Sequence, residues 1–207
     1  MTWDRLRSSY DAAAEAYETA FLDELDGKPA DRERLATFAA VVGDPVLDLG
    51  CGPGQIGAAV AAAGRRVHGV DLSPAMAGRA ATRLAGAVGG DLRALPIRSG
   101  AAAAVVAAYS LIHLRREEQG RAWAEIARVL RPGGRALVTA HEGTGTVAVD
   151  DFLGTGAPFV ATLLGLDEMT AAAGSAGLEV VAATRRDPYP QEHPTVRLTV
   201  EVVSPPR

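Results

Sequence analysis

A glycine-rich segment and the acidic residues around it are the part of the sequence best suited to chemistry. The segment VLDLGCGPGQIG, residues 46–57, places glycines at 50, 52 and 54 directly after a short apolar run. Glycine lets the backbone turn sharply and approach a ligand closely, which leaves backbone amides and the start of the following helix exposed. The pattern therefore predicts a ligand-binding loop, because a simple tight turn needs fewer glycines.

The residues around the glycines indicate which ligand the loop binds. Gly52, Gly54 and Gly57 have the G-x-G-x-x-G spacing of a dinucleotide site, but that spacing alone is a weak signal. Asp48 would place negative charge near a phosphate, whereas it suits an ammonium group, and Pro53 removes a backbone donor that a phosphate would use. The loop thus favours a cofactor that carries an amino acid, and a nicotinamide dinucleotide is the alternative.

Two further acidic residues follow later apolar runs. Asp71 ends the segment VHGVD, at a distance from the glycines where an acid can accept both ribose hydroxyls of an adenosine. Its alternative role is to cap the helix that DLSP begins. Asp91 and Leu92 in GDL could contact an adenine amino group and ring, although Asp91 taken alone would be an ordinary loop acid.

Histidines near the ends of apolar runs are candidates for a general base. His113 and His141 follow such runs, and His193 lies in the closing segment. His68 lies inside an apolar run and is expected to be structural. Tyr109 and Glu142 are further candidates. Any one histidine is more often a packing residue than a base, so these assignments are hypotheses about proton transfer.

The elements that must position these residues alternate along the chain. Apolar runs at 46–49, 66–70, 102–109, 134–140 and 178–183, with a weaker run at 86–90, are separated by segments with helical patterns. This alternation predicts an α/β fold, a doubly wound, mainly parallel sheet with helices on both faces. The last two strand-like runs have no helix-length insert between them, so they are expected to pair antiparallel at the sheet edge.

Segments outside this alternation have simpler interpretations. Two helices are expected in the first 43 residues, broken at Gly27 and Pro29, with the second running from Asp31 to about Val42. The segment 142–160, rich in Gly, Thr and Asp, is expected to be irregular and to cover a binding site. RPGG at 131–134 is expected to form a turn.

Composition excludes several classes of function. With 207 residues the chain is expected to form one domain, and its 48% hydrophobic and 22% charged residues are typical of a globular protein. A net charge of -4 with dispersed arginines argues against a nucleic-acid partner. The lone Cys51, the lack of a recognisable signal peptide and the lack of an 18-residue apolar stretch predict a cytoplasmic protein without a membrane segment.

The motifs together resemble those of class I S-adenosylmethionine-dependent methyltransferases, and look most like the UbiE-like branch that acts on small molecules. The resemblance covers YDAAAEAY, VLDLGCGPG, VDLSPAM, GDLRALP, YSLIHL and RVLRPGGRALV. It implies a seven-stranded Rossmann-like sheet of order 3-2-1-4-5-7-6 in which only strand 7 is antiparallel. It also implies a helical lid over residues 1–43, a cofactor-binding core over 44–141, and a substrate-side part over 142–207.

The resemblance also implies roles for individual residues. Gly50 and Gly52 would contact the methionine portion, Asp71 the ribose, and Asp91 with Leu92 the adenine. Tyr10 and Tyr17 match the segment that closes over the cofactor, although simple aromatic packing remains an alternative. The other residues expected at the cofactor are Asp48, Cys51, Gln55, Leu72, Met76, Ala108 and Tyr109.

The expected reaction is methyl transfer to a small-molecule acceptor, leaving S-adenosylhomocysteine, without a metal. His113 and His141 are the candidate catalytic residues, and the acceptor atom is an oxygen, nitrogen or carbon. The Asn/Asp-Pro-Pro-Tyr/Phe box of enzymes that methylate nucleic-acid bases or protein glutamine is absent. A non-methylating relative that keeps the cofactor, such as a cyclase or a binding protein, and a nicotinamide-dependent dehydrogenase are the alternatives. The protein is expected to be a monomer or a homodimer.

Overall fold

The computed structural model describes residues 1–206, which form six α-helices and nine β-strands. The helices are α1 (Trp3–Phe21), α2 (Pro29–Val41), α3 (Gln55–Ala62), α4 (Pro74–Ala80), α5 (Gln119–Val129) and α6 (Leu166–Ser175). The strands are β1 (Val46–Leu49), β2 (Val67–Asp71), β3 (Ala87–Gly89), β4 (Ala102–Ala108), β5 (Leu130–His141), β6 (Thr146–Val149), β7 (Phe159–Thr162), β8 (Glu179–Arg186) and β9 (Arg197–Val203). Arg207, the last residue of the predicted substrate-side part, lies outside the described residues.

Seven strands form one sheet in the order β3-β2-β1-β4-β5-β9-β8. Strands β3, β2, β1, β4 and β5 pair in parallel, and β9 pairs antiparallel with both β5 and β8. Both the doubly wound fold and the antiparallel C-terminal pair are therefore confirmed. The two last strands have higher numbers than expected because two additional strands precede them.

The central strands are apolar along their whole length because helices cover both faces of the sheet. All four residues of β1 are buried, and in β4 only Ala108 at the carboxyl end is not. Two apolar clusters lie on opposite sides, one around Trp123 of α5 and the other around Phe38 of α2. Small alanine side chains in β4 allow both layers of helices to approach the sheet closely.

Strand β5 begins earlier than the sequence suggested. Leu130 pairs with Ala102 and Arg135 pairs with Ala104, so the four residues RPGG bulge out between two paired positions. Gly133 has a φ of 75°, which suits glycine, and its amide donates to the carbonyl of Ser204. The expected turn is thus a bulge within the strand.

The segment 142–160 is not irregular, and that expectation was wrong. Strands β6 and β7 form a separate antiparallel ribbon, in which Thr146 pairs with Thr162 and Val149 with Phe159. A short 3-10 turn, Phe152–Gly154, lies in the connection between the strands. The runs TVAV and FVAT are short and contain β-branched residues, so each forms a strand once the other is available to pair with it.

The N-terminal helix α1 lies across the carboxyl edge of the sheet. Thr2 caps the helix by accepting from the amide of Arg5, and Asp11 accepts a 2.5 Å hydrogen bond from the Ser73 hydroxyl at the start of α4. Pro29 occupies the first turn of α2, where the missing amide hydrogen costs nothing. None of the helices within residues 1–206 combines the length and apolar character that crossing a membrane requires.

Ser73 is the N-cap of α4, and we predict that Ser73→Ala lowers the free energy of unfolding by about 1 to 2 kcal/mol. The hydroxyl accepts from the amide of Met76 at 3.1 Å and donates to Asp11, and the variant loses both hydrogen bonds. Urea unfolding followed by circular dichroism measures the change. Ser8→Ala, at an exposed position of α1, serves as the control and should change stability by less than about 0.5 kcal/mol. Equal effects of the two variants would contradict the capping role.

Candidate active site

A cavity of about 610 Å³ lies beyond the carboxyl ends of β1, β2, β4 and β5, beneath α1 and the β6–β7 connection. This volume falls within the range typical of small-molecule sites. Parallel strands bring residues that are distant in sequence to this one edge. Every residue that the sequence analysis assigned to the cofactor or to catalysis lines the cavity: Tyr10, Tyr17, Asp48, Gly50, Cys51, Gly52, Gln55, Asp71, Leu72, Met76, Asp91, Leu92, Ala108, Tyr109, His113 and His141.

The glycine loop after β1 forms the floor of the cavity. Gly50 has a φ of 67° and Gly52 a φ of 53°, in the left-handed region that favours glycine. A Cβ atom on Gly50 would collide with the side chain of Ser110, which begins the loop after β4. The loop after β1 therefore lies directly against the loop after β4, as close as two backbones allow.

Asp48 is almost fully buried beneath this loop. Its Oδ2 accepts a 2.9 Å hydrogen bond from the amide of Gly57 in the first turn of α3. Burial raises the pKa of Asp48 to about 7, because the hydrogen bond from the Gly57 amide only partly compensates for the hydration that the carboxylate loses. A cation that enters the cavity would stabilise the ionised form of this side chain.

Asp71 at the end of β2 holds the loop from the other side. Its Oδ2 accepts from the amide of Gly52 and its Oδ1 from the amide of Ser73, both at 2.8 Å. The N-cap of α4 is Ser73, so the alternative that Asp71 itself caps this helix is wrong. Burial raises the pKa of Asp71 to about 6 despite these two hydrogen bonds. Each carboxylate oxygen has further acceptor capacity toward the cavity.

Two buried polar atoms at the cavity lack a hydrogen-bond partner within residues 1–206. They are Oε1 of Gln55 and Oγ of Ser110. The amide nitrogen of Gln55 donates to Glu24, which fixes Oε1 as the free acceptor end of the side chain. Buried polar groups are rarely left unpaired in folded proteins, so such atoms are expected to bind a ligand or a water molecule.

Asp91, expected at the adenine, has a partner that the sequence did not suggest. The guanidinium of Arg93 donates to both carboxylate oxygens, with the shortest distance 2.6 Å from Nη2 to Oδ2. Burial opposes ionisation, but the hydrogen bonds and charge of Arg93 outweigh it and lower the pKa of Asp91. Arg93 also stacks on Trp3 of α1, 3.8 Å from the ring centroid, and donates to Glu118. This contact ties α1 to the loop after β3.

His113, in the loop after β4, is held in one tautomer by its two neighbours. Nδ1 lies 3.2 Å from the carbonyl of Val160, which can only accept, so Nδ1 carries the proton. Nε2 is then an acceptor, 2.8 Å from the hydroxyl of Tyr10. Burial lowers the pKa of His113 to about 4 and raises the pKa of Tyr10 well above its usual value. Nε2 is therefore an unprotonated acceptor at neutral pH.

His141, at the end of β5, has different neighbours. Its ring stacks on that of Tyr109 with centroids 4.9 Å apart, and Nδ1 lies 2.9 Å from Oγ1 of Thr195. Tyr109 has a φ of 52°, a strained value for a residue with a side chain and one that is often found at functional sites. Burial, followed by the charges of Arg197 and other cations, lowers the pKa of His141 to about 3.

The other histidines and Glu142 differ in whether they line the cavity. His193 lines the cavity, 6.3 Å from His141 between ring centroids. His68 lies within β2 and Glu142 follows β5, and neither lines the cavity. Glu142 forms an ion pair with Arg185 instead, at 2.8 Å.

Several cavity residues were missed by the sequence analysis. Phe152 and Phe159 belong to the segment that was expected to be irregular, and no periodicity marked them out. Arg197 is one residue of a strand-like run, and only its register opposite His141 brings it to the cavity. The unpaired hydroxyl of Ser110 could have been suspected, since a polar residue directly follows the apolar run of β4.

Comparison with known proteins finds similarity to methyltransferases over part of the chain. Residues 46–134 match a family described as a methyltransferase domain. An uncharacterized methyltransferase of Geobacillus kaustophilus is 29% identical over 138 residues, which cover 65% of this chain and 63% of that protein. A demethylmenaquinone methyltransferase of Clavibacter sepedonicus is 35% identical over 113 residues, 51% of this chain and 45% of that protein. The match thus spans less than two thirds of the length of these relatives.

Solved structures share the whole fold. The 1,6-didemethyltoxoflavin-N1-methyltransferase of Burkholderia thailandensis superimposes with a TM-score of 0.74 at 22% identity, covering 98% of this chain and 88% of that one. The 4+2 cyclase SpnF gives a TM-score of 0.76 at 19% identity, covering 100% and 98%. At these identities the likeness concerns the fold alone. The glycine loop lies within the residues that match the methyltransferase domain, and the sheet has the strand order of the expected fold.

Proposed function

We propose that this protein binds S-adenosylmethionine and transfers its methyl group to a small-molecule acceptor. The observation that carries the proposal is the set of hydrogen-bond acceptors around the glycine loop. Asp48, Asp71 and Oε1 of Gln55 all line the same side of the cavity. A ligand with an ammonium group, a sulfonium and ribose hydroxyls matches these acceptors, whereas a pyrophosphate would be repelled by them.

Each part of the cofactor has a residue suited to it. Asp48 and Gln55 suit the ammonium group, and Asp71 suits the ribose hydroxyls while it holds the loop through Gly52. Leu92 offers an apolar surface to the adenine. Asp91 would accept a hydrogen bond from the adenine amino group through a carboxylate lone pair that Arg93 does not use. Tyr17, beside Gly52, covers the loop from α1.

The bound cofactor supplies a methyl group on a positively charged sulfur. In an in-line displacement an electron pair of the acceptor forms the new bond to the methyl carbon, while the electrons of the carbon–sulfur bond remain on sulfur. The protein contributes mainly by aligning the two reactants, which can be worth several powers of ten in rate. If the acceptor atom carries a proton, that proton must also leave.

His113 is the residue best placed to take this proton. Its Nε2 is unprotonated at neutral pH and already accepts from the Tyr10 hydroxyl. An acceptor hydroxyl or amine that takes the place of Tyr10 would meet the same lone pair. His141 has a different environment: its Nδ1 lies at the hydroxyl of Thr195, which accepts from Nη1 of Arg197, and when that hydroxyl donates to Nδ1 the ring proton is on Nε2.

The relatives support a small-molecule acceptor. The demethylmenaquinone methyltransferase has a small-molecule substrate by name, which agrees with the UbiE-like branch. The structural similarity to the cyclase SpnF keeps a second candidate function open, a non-methylating protein that retains the cofactor. Transfer of a labelled methyl group from the cofactor into a metabolite extract distinguishes the two, because a cyclase or a binding protein would transfer none.

Cofactor choice is tested by calorimetry with S-adenosylhomocysteine and NAD. We expect S-adenosylhomocysteine to bind and NAD to show no comparable affinity. Asp71→Ala should weaken S-adenosylhomocysteine binding by about 2 to 4 kcal/mol, because two ribose hydroxyls lose a charged acceptor. Ser73→Ala is the matched control, since it removes the neighbouring cap and leaves the carboxylate. Tighter binding of NAD would overturn the cofactor assignment.

The raised pKa of Asp48 predicts a pH-dependent affinity. Below pH 7 the side chain takes up a proton and no longer attracts an ammonium group, so binding should weaken as the pH falls. Between pH 7.5 and pH 5.5 the dissociation constant for S-adenosylhomocysteine should rise about 10- to 30-fold. Asp48→Asn should bind weakly at both pH values with a flatter profile. A variant with the wild-type profile would assign the titration to another group.

The role of His113 is tested by methyl-transfer rates. We expect His113→Ala to lower kcat about 10²- to 10⁴-fold without changing the affinity for S-adenosylhomocysteine, because the base is lost and the cofactor loop is untouched. His141→Ala should act mainly on KM. His68→Gln, outside the cavity, is the control. An unchanged rate in His113→Ala would mean that the acceptor releases its proton to solvent.

A further inference from the structure

We propose that the methyl acceptor is a compact, uncharged, planar aromatic ring system that carries an oxygen substituent. This inference rests on the proposed function and names the substrate class for that site. Two observations carry it: aromatic side chains are concentrated on the cavity wall, and the polar end of the same cavity holds charges that already neutralise one another.

Aromatic residues are distributed unevenly between the core and the cavity. The chain has four Phe and four Tyr residues, and six of these eight line the cavity. The two exceptions are Phe38, which is buried in the core, and Tyr189 on the closing segment. The sheet core is packed mainly with Leu, Val and Ala instead. Packing alone would not place the rings in this way, so they are expected to serve a ligand.

The rings on the acceptor side form a continuous wall. Phe152 and Phe159 are stacked with centroids 4.8 Å apart and an interplanar angle of 21°. The ring of Tyr10 meets Phe152 edge-on at 5.9 Å, and His113 meets Phe159 edge-on at 5.5 Å. A flat ring that lies against this wall would place a ring substituent beside Nε2 of His113. Aromatic rings interact favourably in such stacked and edge-on arrangements.

The opposite end of the acceptor side offers hydrogen-bond donors. Arg197 is 5% exposed, and within residues 1–206 its hydrogen bonds all use Nη1, which donates to His193 and Thr195. Nη2 of Arg197 can therefore donate a hydrogen bond to a ligand. Nε2 of His141 is a second donor when Nδ1 accepts from the Thr195 hydroxyl. Together they suit an oxygen atom that accepts hydrogen bonds.

The charges at this end already balance one another. Lys28 pairs with Glu24, and Arg186 pairs with Asp31 at 2.7 Å. Glu192 completes the group, 3.5 Å from Arg197 and close to Lys28 and Arg186. These three cations and three acids leave no net charge to neutralise an ionised substrate. A buried charge without a partner is costly, so a neutral carbonyl or hydroxyl oxygen is favoured over a carboxylate.

The same end is closed, which limits the length of the acceptor. The amide of Gln191 donates to the carbonyl of Gly27 at 2.9 Å, and the hydroxyl of Tyr189 accepts from the amide of Ala30 at 3.0 Å. The segment between β8 and β9 is thereby tied to the start of α2. Together with the Arg186 ion pair, these contacts leave a compact space and argue against a long-chain lipid.

The test uses four probes of similar size with the protein loaded with S-adenosylhomocysteine. 7-Hydroxycoumarin is planar and carries a carbonyl oxygen opposite its hydroxyl, 2-naphthol is planar but lacks the carbonyl, and decahydro-2-naphthol is not planar. 7-Hydroxycoumarin-3-carboxylate adds a negative charge. Binding is measured by saturation-transfer NMR. We expect 7-hydroxycoumarin to bind at least fivefold more tightly than 2-naphthol or the carboxylate, and decahydro-2-naphthol to bind most weakly.

Variants assign the binding to the two ends of the cavity. Phe152→Leu and Phe159→Leu should weaken both planar probes at least fivefold, whereas Phe38→Leu, which removes a core ring, should not. Arg197→Lys should weaken 7-hydroxycoumarin but leave 2-naphthol unchanged, and binding of S-adenosylhomocysteine reports that each variant is folded.

Three outcomes would overturn the inference about the acceptor. They are absence of binding by the planar probes, equal binding of decahydro-2-naphthol, and preference for the carboxylate. In each of these, retained binding of S-adenosylhomocysteine together with methyl transfer into a metabolite extract would leave the proposed function standing. Failure of both cofactor binding and methyl transfer would instead remove the proposed function itself.

Discussion

The close contact between Gly50 and Ser110 holds the loops after β1 and β4 together at the site. Strands β1 and β4 are neighbours in the sheet, and α3 and α5 leave it toward opposite faces, so a cleft opens where their loops diverge. A side chain at Gly50 would force those loops apart. Because the loops touch, the buried carboxylates of Asp48 and Asp71 lie just beneath the floor of the same cavity that His113 faces.

That geometry gives the two sides of the cavity different electrostatic character. On the side of the glycine loop, two carboxylates are buried with amide donors as partners, and burial raises the pKa of both. Within residues 1–206 neither carboxylate forms an ion pair, which makes this side receptive to a positively charged ligand. On the other side every acid faces a basic residue, and an incoming ligand finds the charges already paired.

The elements that cover the cavity are attached to the sheet by specific polar contacts. Helix α1 is tied to α4 through Asp11 and Ser73, and to the loop after β3 through the stack of Trp3 on Arg93. The segment between β8 and β9 is tied to α2 through Tyr189. Trp3 also packs against the apolar core, and Leu6, Ala13 and Ala14 of α1 are buried, so apolar as well as polar contacts hold this helix over the cavity.

Local sequence patterns predicted the fold class, the antiparallel C-terminal pair of strands and the glycine loop with its acids. These features depend on local patterns, namely apolar runs separated by helical segments, and on the rule that loops after parallel strands meet at one edge. The resemblance to a known family supplied the strand order and the roles of the aromatic residues of α1.

The acceptor side depends on contacts that form only in the folded chain. The ribbon of β6 and β7 depends on pairing between segments whose individual strand signals are weak. Arg197 reaches the cavity through its register opposite His141, and Arg93 reaches Asp91 and Trp3 at once. The tautomer of His113 depends on a carbonyl 47 residues away in the sequence. Such contacts join residues that have no local relationship, and spacing along the chain therefore contains no signal for them.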